Sequence, residues 1–200
     1  FSYIGLMSPY ASLYFASRDF GAIEIAALMS MFQITRILGP FAWGWLADIR
    51  RDRLGIMRVT SVMACIIFSA IFYLESYLPL LIWMFLLNTV ISSLMPLGEA
   101  ATVHALYKNN DFDRRYGRLR LWGSIGFIAM VLSAGAWFEH FGIDSFPYFG
   151  MTALLIMTVL TTTLREPAIE VAHHVEVKLG HVLKNTQVQW FLSANFWMIF

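Results

Sequence analysis

The sequence predicts an all-α membrane protein: a six-helix transmembrane bundle over residues 1–164, a cytoplasmic linker over 165–187 and the start of a seventh transmembrane helix over 188–200. Composition is the first ground. Hydrophobic residues make up 58% of the chain and charged residues 14%, whereas soluble domains run at about 45–50% and roughly 25%. The second is the length of the apolar runs, and the third is the placing of the basic residues between them.

The runs cover 1–16, 25–47, 56–74, 78–106, 119–138 and 146–164, and another begins at 188. A helix needs about 20 apolar residues to cross a hydrocarbon core of about 30 Å. Helices are the expected form because they satisfy every backbone polar group internally. The first run is short and already apolar at Phe1, so the first helix is read as truncated. The polar stretch 164–190 places Leu179, Val182 and Leu183 at helical spacing beside Lys178 and Lys184, which predicts a short amphipathic helix on the membrane surface.

Orientation follows from charge. Arg50, Arg51, Arg53 and Arg58 lie between spans two and three, and Lys108, Arg114, Arg115 and Arg118 between spans four and five. Arg165, Lys178 and Lys184 follow span six, whereas the alternate connections hold Arg18 among Asp19, Glu24, Glu75, Glu139 and Asp144. The positive-inside rule puts the basic connections in the cytoplasm of a cell whose inner membrane holds the protein. The net charge of +1 gives no reason to expect nucleic acid as a partner. The single cysteine, Cys65, reads as a small packing residue. No metal is expected, since His173 and His174, with His181 nearby, sit in a polar linker where such groups ordinarily hold none.

Ionisable groups inside spans are rare and usually face a cavity or a partner. Three occur here: Arg36 in span two, Glu99 in span four and Arg120 in span five. Asn88, Ser92, Met95 and Glu99 follow one another at steps of four, three and four, which places them on one helical face. Arg120, Ser124 and Phe127 share a face of span five, which continues through Val131 and Ala134. Glu99 and Arg120 fall at similar depth on consecutive spans, so the spacing predicts an ion pair, each charge offsetting the other's desolvation. Arg36 is too deep to reach the headgroups and needs water or a partner. Glycines 39, 44, 117, 123, 126 and 135 allow close helix approach, and Pro40 and Pro96 are kink points.

Two stretches resemble a known family. "GWLADIRRDRLGIMR" (44–58) resembles the first signature loop of the major facilitator superfamily in Gly44, Leu46, Ala47 and Asp48, with Ile49 where that pattern has arginine. "YGRLRLWGSIGF" (116–127), "PLGEAA" (96–101) and "RILGP" (36–40) resemble its phenylpropionate-permease and lactose-permease branch. The resemblance implies the first half of a twelve-helix transporter whose second half lies outside the chain. It implies a solute site of Glu99, Arg120, Phe127, Asn88 and Arg36, with Arg120 in the place of a sugar-binding arginine and Phe127 in that of a stacking tryptophan. It also implies a conformational latch at Gly44, Asp48, Arg50, Arg51 and Arg58. The expected activity is proton-coupled symport of a small organic solute (aromatic acid, sugar or nucleoside), needing no cofactor beyond the proton gradient. A ligand sensor on the same fold is the alternative. No enzyme is expected, because no nucleophile–base spacing occurs inside the spans.

Overall fold

The computed structural model describes residues 1–50, 52–107, 112–164 and 188–190. It divides into two units, Phe1–Pro167 and Ala168–Phe200. In the second, residues 188–190 are helical; the amphipathic helix and the histidines expected near 173–184 lie outside the described residues, as does the remainder of the seventh run.

Among the described residues, the first unit is a bundle of seven α-helices: α1 (Ser2–Ser17), α2 (Ala22–Arg50), α3 (Arg53–Ser69), α4 (Tyr77–Ile91), α5 (Leu94–Tyr107), α6 (Phe112–Phe141) and α7 (Phe146–Thr163). Five apolar stretches are long enough to cross a membrane: Ala22–Arg50, Arg53–Phe72, Tyr77–Val103, Tyr116–Phe141 and Ile143–Thr163. α2 and α6 are longer than the apolar runs they contain and absorb much of the expected loops beside them. Asp48 and Arg50 sit on the last turns of α2, and Arg53 opens α3. The Asp52 side chain caps α3 by accepting from the backbone N–H of Gly55 at 2.7 Å.

Span four departs from a single rod. It breaks into α4 and α5 at Ser92–Ser93. Pro96 explains the break: it has no N–H to give to the carbonyl of Ser92, and its ring crowds that group. Backbone bonding tightens at the break, with Ser93 N–H donating to Val90 O at 3.3 Å. The carbonyl of Thr89 accepts instead from the Ser92 hydroxyl and from the indole N–H of Trp43 on α2, both at 2.7 Å. A second helix therefore supplies a donor to the carbonyl that Ser93 N–H gives up at the break.

Direct helix contacts follow small residues and hydroxyls. α2 crosses span four at Gly39, where an added Cβ would overlap the Ser92 side chain. α1 lies on α6: the Tyr10 hydroxyl donates to Val131 O at 2.8 Å, and a Cβ on Gly5 would come within 2.9 Å of Phe127 O. α3 is tied to α7 through Ser61–Thr161 at 3.0 Å and Cys65–Thr158 at 3.2 Å, and to the break through Ser93–Thr60 at 2.9 Å. Ser61, Thr60 and Ser93 are fully buried, so these bonds are made where water cannot substitute. The apolar core joins Leu6, Phe15, Leu28, Phe68, Met84, Leu87, Phe146 and Leu154.

The two ends of the bundle differ. At one, the Arg18 guanidinium donates to Leu74 O at 2.9 Å and to the Tyr14 hydroxyl at 3.1 Å. At the other, Arg58 donates to Leu164 O, at the C-terminal end of α7, at 2.6 Å, and Arg53 meets Asp48 at 4.0 Å. Among the described residues, the end with Arg53 and Arg58 thus carries the turn between α2 and α3 together with the C-terminal end of α7.

The Gly39–Ser92 crossing makes a stability prediction. Gly39→Ala is expected to cost about 1–3 kcal/mol through overpacking, read as a lower melting temperature of the detergent-solubilised protein. Ser92→Gly in the same chain should return most of the loss; a double variant no more stable than Gly39→Ala would place the strain elsewhere.

Candidate solute cavity

A cavity of about 730 Å³ opens within the first unit, lined by residues of all seven helices. Arg36 reaches it from α2, Asn88 from α4, Glu99 from α5 and Arg120 from α6. Four of the five residues expected at a solute site therefore share one space. Arg36, Glu99 and Arg120 are exposed to it, and Asn88 is buried at 3% exposure. The remaining wall is largely apolar, with Ile4, Phe32, Leu54, Met57, Ile91, Leu119 and Met157 among its residues.

The depths agree with the sequence reading. Glu99 is eight residues before the end of α5 and Arg120 eight residues after the start of α6, each about 12 Å along its helix at 1.5 Å per residue. Arg36 is at the midpoint of α2, fourteen residues from either end. The expected Glu99–Arg120 ion pair is not formed: among the described residues the ion pair within 4.0 Å is Arg53–Asp48. The cavity supplies the reason. Both side chains project into open space, where a solvated charge gains little from a contact that immobilises two long side chains.

Span four presents one face to this space despite its break. Asn88 and Ser92 precede or occupy the turn, Met95 and Glu99 follow it, and all four line the cavity. The two kink prolines line it as well. Pro96 leaves the carbonyl of Ser92, and Pro40 that of Arg36, without its helical N–H donor. Each carbonyl belongs to a residue of the cavity wall. α2 nevertheless continues through Pro40 without interruption.

Phe127 is placed elsewhere. It packs against Gly5 where α1 meets α6 and is not part of the cavity wall. The rest of that face behaves alike, with Val131 O accepting from Tyr10 and Ala134 fully buried. The face that begins at Arg120 in the cavity becomes a packing seam within two turns. In the loop, Gly44 is half-buried, Asp48 and Arg50 are exposed, and Arg58 is committed to Leu164 O; Arg51 lies outside the described residues.

Sequence reasoning did not find Tyr3. Its hydroxyl donates to Asn88 Oδ1 at 3.3 Å, and Asn88 Nδ2 donates to Met84 O at 2.8 Å. Both side chains border the cavity, so α1 and α4 meet there through a polar contact in an otherwise apolar floor. Thr35, Thr102 and Tyr116 add hydroxyls to the wall.

Apolar helices of membrane-spanning length around a charged cavity define a multi-pass membrane protein. The sequence matches the MFS_1 like family over residues 1–200, and the chain belongs to that family, within the major facilitator superfamily. Relatives include the maltose permease of Geobacillus stearothermophilus, 29% identical over 163 residues, which are 80% of this chain and 40% of that protein. The uncharacterized transporter YwbF of Bacillus subtilis (strain 168) is 25% identical over 138 residues, 68% of this chain and 34% of that protein. The chain thus spans less than half the length of either relative. No solved structure matches it.

The geometry predicts a pattern of solvent access. With Cys65 replaced by serine, cysteine at Glu99 or Arg120 should react readily with a membrane-impermeant thiol reagent, whereas cysteine at Phe127 should react at least about tenfold more slowly, being held in a packed seam. Equal labelling of all three positions would contradict the separation of Phe127 from the cavity.

Proposed function

We propose that this chain forms one half of a secondary active transporter, and that the transporter carries a small organic solute by proton-coupled symport across the cytoplasmic membrane. The observation that carries this reading is the convergence of Arg36, Asn88, Glu99 and Arg120 on a single cavity of about 730 Å³. Charges inside a membrane bundle that are not paired with one another commonly mark solute or ion paths, where water or cargo repays their desolvation. The volume falls in the range of sites for small organic molecules, about 300–1,000 Å³.

In this reading Arg120 grips an anionic or hydroxyl group of the solute, Glu99 orients that grip, and Arg36 and Asn88 complete the wall. The resemblance gives Phe127 a stacking role, but its position supports a different one: it holds α6 against α1 and so fixes where Arg120 enters the cavity. The remainder of the path comes from a second helical half that rocks against this one around the site. Asp48, with the basic residues around it, forms a latch at the end where α2 turns into α3. Aromatic acids, sugars and nucleosides are the solute classes to test, and the name of the maltose permease relative gives a disaccharide particular weight.

The test is uptake by the full-length protein in proteoliposomes under an imposed proton gradient. Accumulation abolished by an uncoupler is expected. Arg120→Lys should lower kcat/KM at least about tenfold, since lysine keeps the charge but loses the bidentate fork. Ligand binding without flux of any solute would identify a sensor instead, and an unaffected Arg120→Lys variant would remove Arg120 from the site.

A further inference from the structure

Tyr3 and Asn88 meet in the cavity wall, and the chemistry of their neighbours fixes the direction of the bond between them. The Asn88 amide has two unlike ends, one that donates and one that accepts. Its Nδ2 lies 2.8 Å from the carbonyl oxygen of Met84, which can only accept, so the donating end faces that way. Oδ1 is thereby turned toward the Tyr3 hydroxyl, 3.3 Å away. Carrying no hydrogen, Oδ1 takes the one that Tyr3 has to give. What the Tyr3 hydroxyl can still offer to the cavity is its lone pairs.

Two observations set this oxygen apart. Among the described residues, the Tyr3–Asn88 bond is the one hydrogen bond that joins α1 to α4. The packing of α1 is secured elsewhere, by Tyr10 on Val131 O of α6 and by the Tyr14–Phe146 stack on α7. Thr35 and Ser92 also bring hydroxyls to the wall, but these turn back to the carbonyls of Met31 and Thr89, one turn earlier in the chain. Thr35 is also sealed at 2% exposure, whereas Tyr3 is half-buried. Around Tyr3 the wall is apolar, with Ile4, Phe32 and Ile91 bordering the same space. Water can serve the Tyr3 oxygen when no solute is bound, and a solute that fills the space displaces that water. A solute hydroxyl at this place restores the bond; an ether oxygen or a methylene leaves the oxygen unpaired, which is penalised in such surroundings. We propose that Tyr3 is a solute-binding residue whose hydroxyl oxygen accepts a hydrogen bond from a hydroxyl group of the solute, and that Asn88 is the positioning residue that holds it in that sense. This rests on the transporter reading above and adds to it an uncharged subsite that demands a hydroxyl donor on the cargo.

The experiment measures binding of maltose, uridine and 4-hydroxybenzoate to the purified full-length protein, each against its mono-O-methyl ethers, which keep the oxygen but lose its hydrogen. For the solute that binds, at least one ether should bind about tenfold more weakly. Tyr3→Phe keeps the ring and removes the hydroxyl; it should weaken binding of the parent solute about tenfold and bring that ether to within about twofold of it. In Asn88→Leu the freed Tyr3 hydroxyl can turn its hydrogen to an ether oxygen, so the ether should gain on the parent solute. Unchanged melting temperatures check that both variants fold, and Tyr3→Phe decides the matter alone if Asn88→Leu is unstable. An ether penalty that survives in Tyr3→Phe is steric and overturns the proposal. So does a parent affinity that Tyr3→Phe leaves unchanged, or a full set of ethers that bind as tightly as the parent. Each of these leaves the transporter reading standing while uptake persists; absence of binding and uptake for all three solutes removes that reading and the proposal with it.

Discussion

Placing ionised side chains at mid-depth in apolar helices carries a desolvation cost of several kcal/mol per charge, and the arrangement of this bundle follows from meeting it. Arg36 lies fourteen residues from each end of α2, beyond the reach of the headgroups. Glu99 and Arg120 lie about 12 Å along their helices at 1.5 Å per residue. Helices packed without a gap would force these groups either to pair tightly or to lose their charge. The bundle instead leaves a cavity, and each of the three remains exposed within it. The charges and the space are two sides of one constraint: removing the space would strand the charges, and removing the charges would leave the space nothing to hydrate.

The cavity in turn depends on how the other polar groups are satisfied. Thr60, Ser61 and Ser93 are buried, yet each hydroxyl has a partner within about 3 Å on another helix or on its own backbone. Such bonds hold α3 to α7 and to the break in span four with small side chains, so the helices stay close without bulky residues between them. Trp43 serves in the same way, its indole meeting the Thr89 carbonyl that the break sets free. These tight contacts lie beside the cavity, whose wall also includes Leu54 and Met57 of α3, Met157 of α7 and Ser92 at the break.

How much of this could be read in the sequence depended on range. The spans were legible because a run of about twenty apolar residues suits a membrane crossing and little else. Arg36, Glu99, Arg120 and Asn88 were legible as cavity residues because each is polar in a setting that penalises polarity. Tyr3 was not, since a tyrosine in a run that is apolar all round carries no periodic signal, and its partner Asn88 is 85 positions away. Pro96 announced a kink, but whether a proline breaks its helix depends on neighbours: span four breaks near Pro96, while α2 runs straight through Pro40. Phe127 shows the opposite limit. Helical spacing put it on the face of Arg120, and it is on that face, but the face passes from cavity to packing seam within two turns. The predicted pairing of Glu99 with Arg120 was right about depth and silent about the width of the space between them.

The charges are also distributed unevenly with respect to packing. The buried core is drawn mainly from α1 and α4, through residues such as Phe15 and Leu87, with α3, α6 and α7 adding Phe68, Phe138 and Phe146. Arg36, Glu99 and Arg120 are carried by α2, α5 and α6. Large parts of α2 and α6 remain uncovered in this unit, with Phe41 at 82% and Trp122 at 68% exposure, and α5 is a short segment set off from α4 by its turn. α2 and α6 are nonetheless fixed by close crossings, α2 on span four at Gly39–Ser92 and α6 on α1 at Gly5 and Tyr10, so two of the three charges are held in place by packing behind them.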